Sequence, residues 1–154
     1  MGGGFDYDLD FKTINFRDHA ELYRAGRGEQ GVLLVEPYKS EILPLWRFRT
    51  PQLAQASADA IWLKFEEYRD AADFVGMDMA RKFLQMGFTR SRRYANHRSG
   101  RKYDQETGQL LPQDADSETS EKAVSARIFK QMLDRANGNP AYQHALASHR
   151  ARFG

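Results

Sequence analysis

Cysteine is absent from the 154-residue sequence, which excludes disulfide bridges, thiol nucleophiles and thiolate zinc sites. No apolar run approaches the roughly 18 residues that a membrane-crossing helix needs. The first residues carry no apolar leader. Met1-Gly2 opens like a myristoylation signal, but Asp6 stands where Ser or Thr is required. These absences predict a cytoplasmic protein with no membrane partner. The histidines are His19, His97, His144 and His149, and the last two are spaced wrongly for a zinc pair on one helix face. No metal site and no cofactor are expected. No phosphate loop, nucleophile elbow or calcium loop occurs either.

Acidic residues are missing from one place in particular. Between Ala80 and Tyr103 there are none, whereas Arg81, Lys82, Arg90, Arg92, Arg93, Arg98, Arg101 and Lys102 all fall there. The net charge of the whole chain is only +2, so the basic character is local. On a helix at 100° per residue, Arg81, Lys82, Gln85, Thr89, Arg92 and Arg93 share one arc. Ala80, Phe83, Leu84, Gly87, Phe88, Tyr94 and Ala95 share the other, joined by Gly76 and Met77. The division of faces survives Gly87, which predicts a helix running through it with another element in close approach. The competing reading makes Gly87 a left-handed C-cap. Solvated helix faces mix signs and carry Glu–Lys pairs, and this one carries none within the stretch.

At 41% hydrophobic and 29% charged, the composition is that of a globular chain, and its length fits a single domain over residues 1–154. Residues 1–15 alternate Phe5, Tyr7, Leu9 and Phe11 with polar positions, which suits a half-buried strand or an extended arm. Phe16 to Arg24 reads as a short helix. Gly31 to Glu36 reads as a strand that pairs with Ile42 to Arg49, with Pro44 forcing the second strand to an edge. Thr50-Pro51 is a helix start, followed by a core stripe of Ala54, Ala58, Ile61, Phe65, Tyr68 and Ala72. Asp73 caps the central helix. Residues 97–117 read as a loop. Glu118 to Ala136 reads as a helix with Val124, Ile128, Met132 and Ala136 inward, and Asn139-Pro140 starts a last one with Tyr142, Leu146 and His149 or Phe153 inward. The expected class is α+β, mainly α, with four to five helices and a small β-hairpin.

Gly26-Arg27-Gly28-Glu29-Gln30-Gly31 matches G-x-G-x-x-G. A dinucleotide site needs a strand before and a helix after it, and here the predicted order is reversed, so a turn is the expected role. Glu29, Glu36, Lys39, Arg47 and Arg49, with Glu41, offer a polar cluster for an anionic small molecule. His97 among arginines is a candidate general acid or base without an identified partner. No catalytic set is assigned, and whether the protein is an enzyme stays open at this point.

The residues favour a nucleic-acid-binding protein, for DNA or RNA. It would touch phosphates through Arg81, Lys82, Arg90, Arg92, Arg93, Arg98, Arg101 and Lys102, with Tyr103 placed to stack a base. Little sequence preference is expected, because phosphate contacts position without specifying. The alternatives are an interaction module docking an acidic protein, or the acidic Asp114 to Glu121 segment of another copy, and an enzyme acting on an anionic small molecule.

Two segments also resemble a known family. One runs from Phe16-Arg17-Asp18-His19 through Leu22-Tyr23-Arg24-Ala25-Gly26 to Glu36-Pro37-Tyr38-Lys39-Ser40-Glu41. The other runs from Asp73-Phe74-Val75-Gly76 through Met79-Ala80-Arg81-Lys82-Phe83-Leu84 to Arg101-Lys102-Tyr103-Asp104. They are similar to a family of small uncharacterised bacterial and bacteriophage proteins, a domain of unknown function. The resemblance implies a free-standing domain and supplies no activity, cofactor or site.

Overall fold

A computed structural model describes residues 4–97, 101, 103–115 and 120–154. Among the described residues five α-helices follow one another: α1 (Tyr38–Ile42), α2 (Pro51–Asp70), α3 (Phe74–Asn96), α4 (Glu121–Asn137) and α5 (Pro140–Phe153). Short 3-10 turns lie at Ala20–Leu22 and Leu43–Leu45. Among the described residues there is no strand beyond the single bridge between Tyr103 and Leu110.

Each of the four long helices begins where a side chain can accept a backbone N–H that the helix itself leaves unsatisfied. Thr50 Oγ1 accepts from Leu53 N at 3.2 Å and Asp73 Oδ1 from Gly76 N at 3.0 Å. Ser120 Oγ accepts from Ala123 N at 3.2 Å and Asn139 Oδ1 from Tyr142 N at 3.1 Å. Pro51 and Pro140 occupy the first turn, where the missing N–H costs nothing. Between α2 and α3 the chain turns at Ala72, which takes a left-handed φ of 55°. Asp73 N closes that turn on Tyr68 O at 2.8 Å.

The β-hairpin expected over residues 31–49 does not form, and the fold is mainly α without the hairpin. Residues 31–34 are turns, held by local bonds such as Leu34 N to Gly31 O at 3.0 Å, and Tyr38–Ile42 is helical. The apolar run was real but local. Val32 and Val35 are buried while Leu33 and Leu34 are exposed, a spacing of three that belongs to a turn and not to a pleat. Pro44 sits comfortably in the following 3-10 turn. The helix expected over Phe16 to Arg24 shrinks to Ala20–Leu22. Residues 4–15 form turns and irregular chain rather than a strand, and Phe5, Leu9 and Phe11 pack onto the core.

Helix α3 is the axis of the bundle, packed chiefly between α2 and α4 and also touched by α1 and α5. It runs unbroken through Gly87. The reason is on α4: a Cβ added at Gly87 would lie 2.6 Å from Phe129 Cδ1. Gly76 likewise faces the Tyr68 ring, 2.4 Å from where its Cβ would be. In α4 the inward stripe is Ala123, Ala126, Phe129, Leu133 and Ala136, rotated from the expected Val124, Ile128 and Met132, which are only half-buried.

The Gly87 contact makes a prediction. Alanine there gains about 1 kcal/mol of helix propensity, but overpacking a filled core costs about 1–3 kcal/mol. Phe129 is fully buried and has little room to yield. Gly87→Ala should therefore destabilise by about 1 kcal/mol and lower Tm by roughly 3 °C. A Tm that stays level or rises in a thermal melt would show that the ring moves aside freely.

Candidate functional site

The first turns of α3 are buried on every side: all residues from Phe74 to Leu84 are shielded, including Asp78, Arg81 and Lys82. A charge can be held there only with a partner. Asp78 supplies it one turn earlier, the i,i+3 and i,i+4 spacing that brings helix side chains together. Asp78 Oδ1 accepts from Arg81 Nε at 2.8 Å and from the Tyr142 hydroxyl at 2.7 Å. Oδ2 accepts from the Tyr23 hydroxyl at 2.5 Å and lies 3.8 Å from Lys82 Nζ. Burial alone would raise the Asp78 carboxyl, yet Arg81, Lys82 and the Tyr23 bond outweigh it and hold it below its ordinary value. Burial pushes Lys82 the other way, down to about 8. It also lifts the phenols of Tyr23 and Tyr142.

The glycine motif meets these same cations. Gly26, Gly28 and Gly31 all adopt left-handed φ, at 66°, 54° and 75°, a region that glycine enters without strain. The loop so formed turns carbonyls toward side chains. Gly26 O accepts from Arg150 at 3.0 Å, Gly28 O from Arg81 at 3.0 Å and Gln30 O from Lys82 at 2.6 Å. A phosphate loop would offer N–H groups instead. The motif is therefore a turn, as its context predicts, and its role is to satisfy cations.

Arg81 and Lys82 were expected on a phosphate-binding arc, and their cationic groups point inward to Asp78 and to the loop carbonyls. Of the other positions on that arc, Arg93 is exposed, while Arg90 and Arg92 are half-buried. Arg92 Nε donates to Asn96 at 3.1 Å. Arg90 and Arg93 approach Glu29, whose carboxyl nevertheless sits above its ordinary value because burial dominates. Arg101 and Tyr103 are exposed in the following loop. Arg98 and Lys102 lie outside the described residues.

A groove that sequence reasoning did not assemble lies beside the C-terminal half of α3. It encloses about 650 Å³ and is lined by Leu43, Pro44, Trp46, Arg47, Phe48, Arg49, Tyr94 and Lys122. Trp46 and Phe48 have ring centroids 4.9 Å apart, and Phe48 lies 6.4 Å from Tyr94. Lys122 Nζ rests 5.1 Å from the Phe48 ring centre and donates to Phe48 O and Arg49 O, each at 3.0 Å. Burial and the neighbouring Arg49 charge lower its pKa. Among the described residues, three cations and three aromatic rings line the groove, and no acid does. The signal was present as Trp46-Arg47-Phe48-Arg49, an alternation of ring and charge. It reads equally well as an edge strand.

The polar cluster expected from Glu29, Glu36, Lys39, Arg47 and Arg49 is divided among separate tasks. Glu36 accepts from Ser40 N and Oγ at 2.8 and 2.7 Å, Glu29 faces Arg90 and Arg93, and Arg47 and Arg49 line the groove. Glu41 belongs to another network. It takes a bidentate pair from Arg17 at 2.8 and 2.7 Å and the Tyr68 hydroxyl at 2.7 Å, while the Tyr38 hydroxyl donates to Asp73 at 2.6 Å. The Arg17 bonds hold the Glu41 carboxyl below its ordinary value. His97 is buried at the end of α3 and lines none of the clefts described here. His149 is buried, with Nε2 2.6 Å from Tyr23 O and a pKa lowered first by burial. It shares a cleft of about 520 Å³ with Arg17, Asp73 and His144. No group of three metal-ligating side chains occurs among the described residues, and no helix there is long and apolar enough to cross a membrane.

No curated protein and no solved structure matches the chain at a significant level. The family described as a domain of unknown function (DUF4385) matches residues 6–152, and the chain belongs to that family.

Proposed function

We propose that the protein binds single-stranded nucleic acid, DNA or RNA, in the cytoplasm, along the groove of Trp46, Phe48 and Tyr94. The observation that carries this reading is that Arg47, Arg49 and Lys122 share the lining with those rings and, among the described residues, with no acid. Proteins that hold single strands combine cations that follow the backbone with aromatic faces that stack bases. A base paired in a duplex has no free face to offer such rings, so the groove favours unpaired strands. Arg101 and Tyr103 are exposed in the loop after α3. Stacking and phosphate contacts carry little base information, so sequence preference should be weak.

The test is fluorescence anisotropy with a labelled single strand and the matching duplex over a salt series. The single strand should bind more tightly, with a log–log slope of about −0.7 per phosphate neutralised. Replacing Arg47 and Arg49 by Gln should flatten that slope by about 1.4. Tyr94→Ala should weaken binding about tenfold and leave the slope unchanged. Absence of binding at low salt, or binding that ignores all three substitutions, would remove this reading.

A further inference from the structure

The second cationic feature is a cleft that opens at the Asp78 network. It encloses about 470 Å³, and its walls include Gly26, Arg27 and Gly28 of the glycine loop, Arg81 of α3, and Gln143 and Arg150 of α5. Three guanidinium groups thus line it against one carboxylate, Asp78, which leaves a surplus of two positive charges. That carboxylate is already engaged by Tyr23, Tyr142 and Arg81. Two of the guanidiniums are fixed in advance, Arg81 by Asp78 and Gly28 O, and Arg150 by Gly26 O. Arg27, exposed on the loop, makes no ion pair among the described residues. The crowding of positive charge reaches inward, since Arg81 and Arg150 both add to the depression of Lys82 after burial.

We propose that this cleft binds a phosphate monoester or inorganic phosphate dianion, held by Arg27, Arg81 and Arg150. Planar guanidinium forks match phosphate oxygens two at a time. Arginines held in position before binding lose little freedom when the anion arrives. A dianion matches the surplus charge, whereas a monocarboxylate leaves half of it uncompensated. The glycine loop contributes by anchoring the arginines through its carbonyls, and not by cradling phosphate with N–H groups.

Such a dianion can be a free small molecule or the 5′-phosphate of a nucleic-acid strand. The experiment therefore has two arms. Inorganic phosphate is titrated at constant ionic strength, with chloride as the balancing ion, and binding is read by phosphorus NMR line width. A 5′-phosphorylated oligonucleotide is then compared with its 5′-hydroxyl form. Arg27→Gln with Arg150→Gln should weaken phosphate binding about tenfold or more, while Arg47→Gln with Arg49→Gln, which alters only the groove, should leave it unchanged. Arg81 is left in place because its removal would unbalance Asp78, and circular dichroism of the double variant checks that it folds. A 5′-phosphate that tightens binding in the native protein and not in the Arg27/Arg150 variant assigns the site to strand ends. Phosphate binding with no such gain assigns it to a small molecule. No phosphate binding up to about 10 mM and no effect of a 5′-phosphate would overturn the proposal, as would phosphate binding indifferent to the Arg27/Arg150 pair. Loss of strand binding in the groove variant with phosphate binding retained keeps the two proposals separate.

Discussion

Asp78→Ala should cost about 4 kcal/mol of unfolding free energy, or prevent cooperative folding altogether. The estimate follows from what the carboxylate holds. Asp78 has no solvent exposure, and it pairs with Arg81 and Lys82 while accepting from Tyr23 and Tyr142. Taking away one partner of a buried ion pair leaves an uncompensated charge, which costs about 3–5 kcal/mol. Two hydroxyls lose their acceptor in the same step, at about 1–3 kcal/mol each, although such losses overlap within a network. Urea denaturation with a tryptophan fluorescence readout measures the change. Asp78→Asn preserves volume and one acceptor oxygen but not the charge, so it should fall between the native protein and alanine. Arg17→Ala provides the contrast. That pair with Glu41 is bidentate but sits at a side-chain exposure of 43%, where solvent screening limits its worth to about 1 kcal/mol or less. If Asp78→Ala and Arg17→Ala cost the same, the buried network is not the centre of the protein's stability.

The case of Asp78 also shows how far the sequence could be read. Signals confined to one helix turn were legible. Thr50-Pro51, Asp73 and Asn139-Pro140 each supply a cap and a start, and all three mark real helix beginnings. Gly87 on an apolar arc implied a neighbour in contact, and Phe129 is that neighbour. The basic stretch was bounded at Ala80, however, and the acid that answers Arg81 and Lys82 lies just before it. Amphipathic reasoning assigns a charged arc to solvent. A helix surrounded on all sides has no solvent arc, and nothing within α3 says that the glycine loop and α5 close over it. That closure depends on contacts such as Lys82 to Gln30 O and Tyr142 to Asp78, which are 52 and 64 residues apart in the chain.

The missing hairpin has a related cause. Val32-Leu33-Leu34-Val35 has strand composition, but composition cannot tell a pleated run from a turn pressed against a core. Turn bonds to Gly31 and Val35 decided it. The groove stayed hidden because its rings and cations come from three places, residues 43–49, Tyr94 and Lys122. Only the tertiary packing of these three segments brings them together. The alternation in Trp46-Arg47-Phe48-Arg49 was visible, and its meaning depended on whether the segment paired as a strand.

Between pH 7.5 and 9.5 the protein should become more stable by about 2 kcal/mol, against the usual decline of stability on the alkaline side. The ammonium of Lys82 is penalised first by burial and further by Arg81, and Asp78 only partly offsets this, so its pKa falls from 10.5 to about 8. Above that value the folded protein has lost the proton, whereas the unfolded chain keeps it up to 10.5. The unfolded state then binds more protons, and stability rises with pH across this window. At the upper end the phenols reverse the trend. Tyr23, Tyr38, Tyr68 and Tyr142 are raised above their ordinary 10.0, each first by burial. Their neutral forms favour the fold up to that pH, and the advantage is lost as the unfolded phenols ionise beyond it. A stability maximum between about pH 9 and 10 follows from the two opposing slopes. Urea midpoints at half-unit steps would trace it, and Lys82→Met should flatten the rise while keeping the tyrosine-driven fall. A native protein whose stability is level or falls from pH 7.5 to 9.5 would mean that Lys82 stays charged in its buried place, held there by Asp78 more firmly than its burial opposes.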